Sequence, residues 1–526
     1  MRERIHAFAG DFRARSASEQ TAAVLTLGIV LLGLWLRFRG FFSESSSLWL
    51  DECEWASRTI ERPLVDHLIR PIGFMAVTKL LIALFGAYEP VVRALPWLFG
   101  LALPPLAAAV APRLFRNPAA RVLFVAVLVL HPGGIDMAKE FKPYAASLTL
   151  HVLLAWCTLR YWSSRRASDL AVALGCAAFA LLFAQDSVFA FPGLFLVLGY
   201  RALGVSRRHR NAVIGGALLV LLIIGGQYFL IWTRMSHSNP EYWGGKYNVF
   251  YLPNPDKSHL EWLFGRYSQM AGWLGLRDSS WDSEDLAKAN QLIWMLLHVL
   301  GCVMLAVRRR VLLATLLALP IATLVLFNTL GLWPFGAFRT NLFVVFHLAG
   351  IAAVSFDDGK PVARAWLVPI PAFVLVLAPL FAFEDTWHAR KTMLATHSSF
   401  RQALGALLRL SGSGRASGER ELLVLERRAC VPYHFYTEHH PVAARELGEQ
   451  LAKRFEVRCI KEIEEVSHAL EVELAQGRRG FVLAHGSRRF EADLKKSLQN
   501  EGRFTIDRSS RSHLVFRVTA SPAPAK

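Results

Sequence analysis

Two adjacent carboxylates, Asp51 and Glu52, stand between Trp49 and Trp55 in the stretch Leu48-Trp-Leu-Asp-Glu-Cys-Glu-Trp55. The stretch follows the first long apolar run closely, at the point where a helix leaving a bilayer ends. Tryptophan favours the membrane–water interface, which puts the acidic pair at the lip of a membrane. Carboxylates held there could act as a general base, a metal ligand or a cation site. An acidic solvated loop with ordinary interfacial tryptophans would have the same composition.

A second charged stretch, Asp136-Met-Ala-Lys-Glu-Phe-Lys-Pro-Tyr144, carries Lys139, Glu140, Lys142 and Tyr144 between two apolar runs. Charges squeezed between membrane helices are costly unless they face a cavity or a partner. Two lysines, a glutamate and a tyrosine suit a phosphate ester and a sugar hydroxyl, and a solvated turn with self-paired charges would read alike. Arg339, closing Trp333-Pro-Phe-Gly-Ala-Phe-Arg339, lies at headgroup depth. There it could bind a lipid phosphate or simply extend to the interface. Asp186 could line the same polar cavity or cap a helix. Arg93 could reach the interface or pair with an acid of an outer loop. His131, His151 and His347 are isolated on apolar faces and read as satisfied core histidines. No His/Asp group has metal-ligand spacing; the carboxylates leave only a divalent cation open.

The elements that must position these groups are membrane helices. More than half of the 526 residues are hydrophobic, 35 of them Phe and 15 Trp, which rules out a wholly soluble chain. The formal charge of +18 is no nucleic-acid footprint, because the arginines fall in short clusters between apolar runs. Apolar runs cover residues 21–38, 90–112, 121–135, 144–162, 169–184, 188–203, 212–232, 290–307, 311–332, 338–355 and 365–383, eleven in all. The segment 63–86 is nearly as apolar but contains Arg70 and Lys79. Counting it as a twelfth span would put the clusters Arg113/Arg116/Arg121, Arg160/Arg165/Arg166, Arg207/Arg208/Arg210, Arg308/Arg309/Arg310 and Lys360/Arg364 outside, against the positive-inside rule. It therefore reads as an amphipathic or re-entrant hairpin along the outer surface. No cleavable signal peptide is evident.

Three parts follow: a cytoplasmic segment 1–20, a membrane domain 21–383 and an outer domain 384–526. The outer loops are 39–89, 136–144, 233–289 and 333–338, and the chemistry gathers on their side. Within the tail, a Gly/Ser/Arg linker at 411–418 precedes strands at 421–425, 456–460, 480–484 and 514–518. Helices are expected from Pro432 and over 461–476 and 489–499, which together describe a small α/β domain. It has no Gly-rich phosphate fingerprint, so a docking or lid role suits it better than nucleotide binding. Six cysteines are too scattered for a disulfide framework, although Cys430 and Cys459 could pair in an oxidising compartment.

Three stretches, in order, carry a resemblance: Leu48-Trp-Leu-Asp-Glu with Arg62-Pro-Leu, Leu84-Phe-Gly and Arg93-Ala-Leu-Pro-Trp-Leu-Phe-Gly; His131 through Tyr144; and Trp333 through Arg339. Over roughly residues 20–360 the chain resembles the GT-C membrane glycosyltransferases, nearest the group of bacterial lipid A aminoarabinose transferases and protein O-mannosyltransferases. Lys142 stands where that group's Glu-x-Arg-Pro-Tyr pattern has arginine, which keeps the charge but loses the fork.

The resemblance implies an enzyme of the bacterial inner membrane that moves a sugar from a polyprenyl-phosphate carrier to a glycan, lipid or protein acceptor outside. Asp51 would be the general base on the acceptor hydroxyl, and Glu52, the second catalytic residue, would position sugar or acceptor hydroxyls. Lys139, Lys142 and Arg339 would hold the donor phosphate, while Glu140, Tyr144, Asp186 and Arg93 would position substrate. Two rivals fit the same composition. One is a non-catalytic protein that binds or translocates lipid-linked glycans. The other is a transporter, against which stands the lack of matching Gly/Pro-broken spans in the two halves. In the loop 233–289, Trp243, Tyr247, Trp262 and Trp273 could stack on sugar faces or pack the loop onto the membrane.

Overall fold

The computed structural model describes residues 16–39, 41–42, 48, 50–67, 70–235, 248–250, 258–274, 284–337, 339–357, 400–411, 420–460, 465–466, 468–470, 472, 480–484, 504–508 and 514–520. The chain divides into two units. The first comprises Met1–Arg39, Leu64–Val77 and Ala94–Asp385; the second comprises Gly40–Pro63, Thr78–Arg93 and Thr386–Lys526. Two pieces of the first outer loop thus belong with the tail, whereas the sequence reading assigned them to the membrane domain.

The first unit is a helical bundle of a multi-pass membrane protein. Six of its helical stretches are long and apolar enough to cross a bilayer: Ala17–Phe38, Ala94–Leu114, Gln185–Leu203, Arg207–Gln227, Lys288–Val307 and Val311–Thr329. Each is about 30 Å long, the thickness of a hydrocarbon core. On the first of them Val24, Leu27, Leu31 and Trp35 are more than half exposed and recur every three or four residues, a stripe suited to lipid.

The other expected spans that are described are helical but differ in kind. Pro118–Leu130 and Val344–Val354 have 13 and 11 residues, roughly 20 Å or less. All of Val344–Val354, and all of Pro118–Leu130 except Pro118 and Arg121, is buried in protein. A helix walled by other helices is apolar on every side for reasons of packing, and periodicity alone cannot tell it from one facing lipid. Tyr144–Ser164 has the length, 21 residues, but buries Ser147, Thr149, His151 and Thr158. Ala167–Phe183 is a 17-residue helix. The expected span 365–383 lies outside the described residues.

At one end of this bundle, buried Asp357 accepts the Arg116 and Asn117 N–H groups at 2.9 and 2.7 Å. It also pairs with Arg310, and Arg308 donates to its carbonyl. Arg121 reaches Glu19 there at 3.1 Å. Two of the loops expected on one side by their arginines, those of Arg116 and of Arg308, thus meet at a single aspartate.

In the second unit the tail forms a five-stranded sheet in the order β2-β1-β3-β5-β4. The strands are β1 (Glu421–Glu426), β2 (Phe455–Ile460), β3 (Gly480–Ala484), β4 (Phe504–Arg508) and β5 (Leu514–Ala520). β1 is parallel to β2 and β3, while β5 is antiparallel to β3 and β4. Leu422, Leu423, Val424 and Leu425 are almost wholly buried, as a central strand covered on both faces requires. Strand β4 escaped the sequence reading because Phe-Thr-Ile-Asp-Arg is short and ends in charges, which is how edge strands are kept from pairing further.

The helix expected from Pro432 begins earlier, at Arg427, and carries Pro432 inside it. The expected helix 461–476 is helical at its few described positions, and 489–499 lies outside them. Cys430 and Cys459 form a disulfide with Cα atoms 5.9 Å apart, tying that helix to β2. For a closed loop of this length, Cys430→Ser should lower the tail's stability by about 3–4 kcal/mol. The check is thermal unfolding with and without reductant: wild type should shift, the variant should not, and a wild type indifferent to reductant would dismiss the bridge as a stabiliser.

Candidate functional site: an acidic helix and a basic loop

In the second unit, Asp51 and Glu52 open the helix Leu50–Glu61, where carboxylates are favoured by the amide groups of the first turn. Their surroundings differ. Glu52 is fully buried and Asp51 half-buried. Arg93 donates from Nε to Glu52 Oε1 at 2.7 Å and from Nη2 to Oε2 at 2.5 Å, a two-pronged pair 41 residues apart in sequence. With both oxygens committed and no surface exposed, Glu52 is not placed to touch a substrate. It is a buried neighbour of Asp51. Arg93, expected either to reach the interface or to pair with an outer-loop acid, does the latter.

The helix is fixed at both ends. The Cys53 thiol donates to the Leu48 carbonyl at 3.5 Å, and burial pushes that thiol well above the usual range, so it stays neutral. At the other end Lys79 Nζ donates to the Ile60 and Arg62 carbonyls at 3.3 and 2.7 Å. These are the carbonyl groups that a helix end leaves without partners. Lys79, which argued against a span over 63–86, is a helix cap. Its own helix, Ile72–Phe85, has 14 residues and is too short to cross a bilayer upright. Trp49 lies outside the described residues.

In the first unit, His131 caps the turn Pro132–Met137 by accepting the Gly134 N–H at Nδ1, and its Nε2 meets the Trp273 carbonyl at 3.0 Å. It is the satisfied core histidine the sequence suggests. Lys139 Nζ donates to the Arg39 carbonyl at 2.7 Å. Burial, with the charges of Arg37 and Arg39 behind it, lowers its ammonium to about 8, so it is still mostly cationic at neutral pH. Glu140 pairs with Arg339 at 3.2 Å, and the Arg339 guanidinium lies over the Tyr144 ring at 5.9 Å from its centroid. Two loops about 200 residues apart in sequence thus meet at one charged cluster.

Lys142, assigned to the same donor-phosphate site, is only 4% exposed. Asp186 is buried too, in the turn Gln185–Ala190, and accepts a hydrogen bond from the Ser147 hydroxyl.

Arg339 is aimed by a residue that the sequence reading passed over. Asn341, fully buried, donates to the Pro334 and Gly336 carbonyls at 3.0 Å each and accepts from Trp333 Nε1 at 3.0 Å. Gly336 has φ +140°, a conformation nearly closed to other residues. Asn341 therefore closes Trp333-Pro-Phe-Gly into a fixed loop ahead of Arg339.

His151 and His347 are not isolated. They hydrogen-bond to each other at 2.9 Å across 196 residues of sequence. No single apolar face can reveal such a pair, since each partner comes from a different helix. Trp262 and Trp273 of the loop 233–289 are described: Trp262 Nε1 donates to Asn248 at 2.8 Å, and Trp273 lies edge-on to His131. Trp243 and Tyr247 lie outside the described residues. Among those described, no group of three or more His, Cys, Asp or Glu could hold a metal ion.

No family model and no curated protein matches the chain. Solved structures do. The chain is similar to ArnT from Cupriavidus metallidurans bound to undecaprenyl phosphate, at 14% identity and a TM-score of 0.48, over 96% of this chain and 99% of that one. The apo state of the same protein gives 13% identity and 0.48, over 94% and 97%. An oligosaccharyltransferase from Archaeoglobus fulgidus, tethered to an acceptor peptide containing the NVT sequon, gives 11% identity and 0.41, over 87% and 68%.

Proposed function

We propose that this protein transfers a sugar from a polyprenyl-phosphate carrier to a hydroxyl of a glycan, lipid or protein acceptor at the outer face of a bacterial cytoplasmic membrane, with Asp51 as general base. The observation that carries the reading is the division of labour within the acidic pair. Glu52 is buried and neutralised by Arg93, while its neighbour Asp51 is half-buried on the same rigid turn. Placing one carboxylate in an ion pair and the next at a partly open surface is how adjacent acids come to have different tasks.

The chemistry is a single displacement. The acceptor atom attacks the anomeric carbon as its proton passes to the Asp51 carboxylate. The bond from that carbon to the phosphate oxygen breaks, and its electrons leave with the polyprenyl phosphate. With no protein nucleophile, one displacement inverts the anomeric centre. The leaving phosphate needs cations, and Lys139 and Arg339 are the cations of the outer-loop cluster in the first unit. Lys142, enclosed in protein, would act on the loop rather than on the donor. The end that gathers Arg116, Arg121, Arg308 and Arg310 is the cytoplasmic one by the positive-inside rule. The eleven spans expected from the sequence would then leave the amino terminus inside and the tail outside, where a disulfide is stable. A divalent cation has no assigned ligands in this reading.

Mass spectrometry of lipid extracts tests it. Deleting the gene should make one polyprenyl-phosphate sugar accumulate while one envelope glycan, lipid or protein loses that sugar. Unchanged carrier lipids would end the reading. Arg339→Ala, assayed on the purified enzyme, should raise the KM for donor by about tenfold and leave the KM for acceptor within twofold. Equal effects on both substrates would remove the phosphate role.

A further inference from the structure

Both flanks of the acidic pair are held by the tail, entirely within the second unit. On one side, the buried Leu48 N–H, three residues before Asp51, donates to the Tyr436 hydroxyl at 2.7 Å. That hydroxyl in turn donates to Glu89 Oε1 at 3.3 Å. On the other side, His440 Nε2 meets Glu89 Oε2 at 2.9 Å, four residues before the Arg93 that grips Glu52. The Arg93 N–H donates to the Glu89 carbonyl at 3.0 Å, so Glu89 and Arg93 share one helical turn.

His440 Nδ1 accepts the Ala443 N–H at 3.1 Å, which fixes the imidazole proton on Nε2. Nε2 is thereby left to donate to Glu89. Burial alone would raise the Glu89 carboxyl, but the His440 hydrogen bond and charge, with Arg401 nearby, bring it below its usual value. It is an anion at neutral pH and can accept from both tail residues. The approach is close. Gly86, at φ +83°, ends Ile72–Phe85, and a Cβ there would stand 3.0 Å from Pro441 Cγ, next to His440. Tyr88 and Tyr436 rings flank His440 at 5.7 and 5.5 Å.

We infer that Tyr436 and His440 are positioning residues for the proposed base: by holding Leu48 and Glu89 they fix the turn that carries Asp51 and the arginine that neutralises Glu52. The inference rests on the reading of Asp51 as general base. It gives the tail a task in the reaction, as the part that sets the geometry of the acidic helix. A base displaced by about an ångström costs up to 100-fold in rate, so a clamp of this kind acts on turnover and not on donor binding.

The test uses the full-length enzyme in lipid nanodiscs. Tyr436→Phe and His440→Leu should each lower kcat by roughly 10- to 100-fold with the donor KM within twofold. His440→Gln, which keeps a donor towards Glu89, should recover most of that loss. Amide hydrogen exchange across residues 48–61 is read in parallel. In Tyr436→Phe the Leu48 amide loses its acceptor and should exchange at least about fivefold faster, whereas Asp51→Asn should leave exchange there as in wild type. Normal kcat with unchanged exchange in Tyr436→Phe would overturn the inference even if Asp51→Asn is inactive. So would equal losses in His440→Gln and His440→Leu. If Asp51→Asn is fully active, the base assignment falls, and faster exchange in Tyr436→Phe would then report a clamp on a helix without that role, which also overturns the inference.

Discussion

Asp51→Asn will stop sugar transfer while the protein folds and inserts normally. The change is nearly isosteric and keeps an oxygen in place, but an amide cannot take the acceptor proton. General-base assistance accounts for about 10²–10⁴-fold in rate, so in cells the variant should be indistinguishable from the deletion. The same polyprenyl-phosphate sugar should accumulate, and the same envelope product should be missing. Purified Asp51→Asn should still bind donor with wild-type affinity, because the loss is confined to a proton transfer. The controls are membrane yield and thermal unfolding, both expected to match wild type, since Asp51 is half-buried and lies outside the Glu52–Arg93 pair. Transfer at the wild-type rate would remove Asp51 from the mechanism. If deletion changed the envelope and Asp51→Asn did not, a binding or translocating protein would be the better account.

Arg93→Met should have the largest effect on stability. The Glu52 side chain has no solvent exposure, and that of Arg93 is 10% exposed. Removing only the cation leaves a carboxylate buried without its counter-charge, a change that costs about 3–5 kcal/mol. Removing both charges in Arg93→Met/Glu52→Met should restore much of that loss, because the pair's attraction largely offsets its own desolvation. Thermal unfolding of the two single variants and the double variant closes the cycle. A double variant as unstable as the sum of the singles would show that the two side chains do not act as a pair. The activity of the double variant is informative as well. If Glu52 only supports Asp51, transfer should survive in reduced form, whereas a catalytic Glu52 would leave none.

The sequence by itself determined that this is a membrane protein, roughly where its helices run and which residues carry the charge. Those properties are local: apolar run length, arginine clustering and interfacial tryptophans are each written within about twenty residues, the scale of a bilayer. Strands β1, β2, β3 and β5 were legible for the same reason, whereas the capping role of His131 was not. Pro441, at the first position of a helical turn capped by His440, marks that start in the sequence as well.

Tertiary structure alone decided the pairings. Glu52 with Arg93, Glu140 with Arg339, His151 with His347, and Tyr436 and His440 with Glu89 join residues from 41 to 351 positions apart. A carboxylate beside a tryptophan looks the same in sequence whether its partner is water, metal or a buried guanidinium. Likewise a helix apolar on all sides reads the same whether lipid or other helices surround it, and only the packing shows that Pro118–Leu130 and Val344–Val354 are enclosed. Burial and ion pairing depend on which elements pack together, and in a bundle of similar apolar helices that choice rests on many weak contacts that no single stretch of sequence contains.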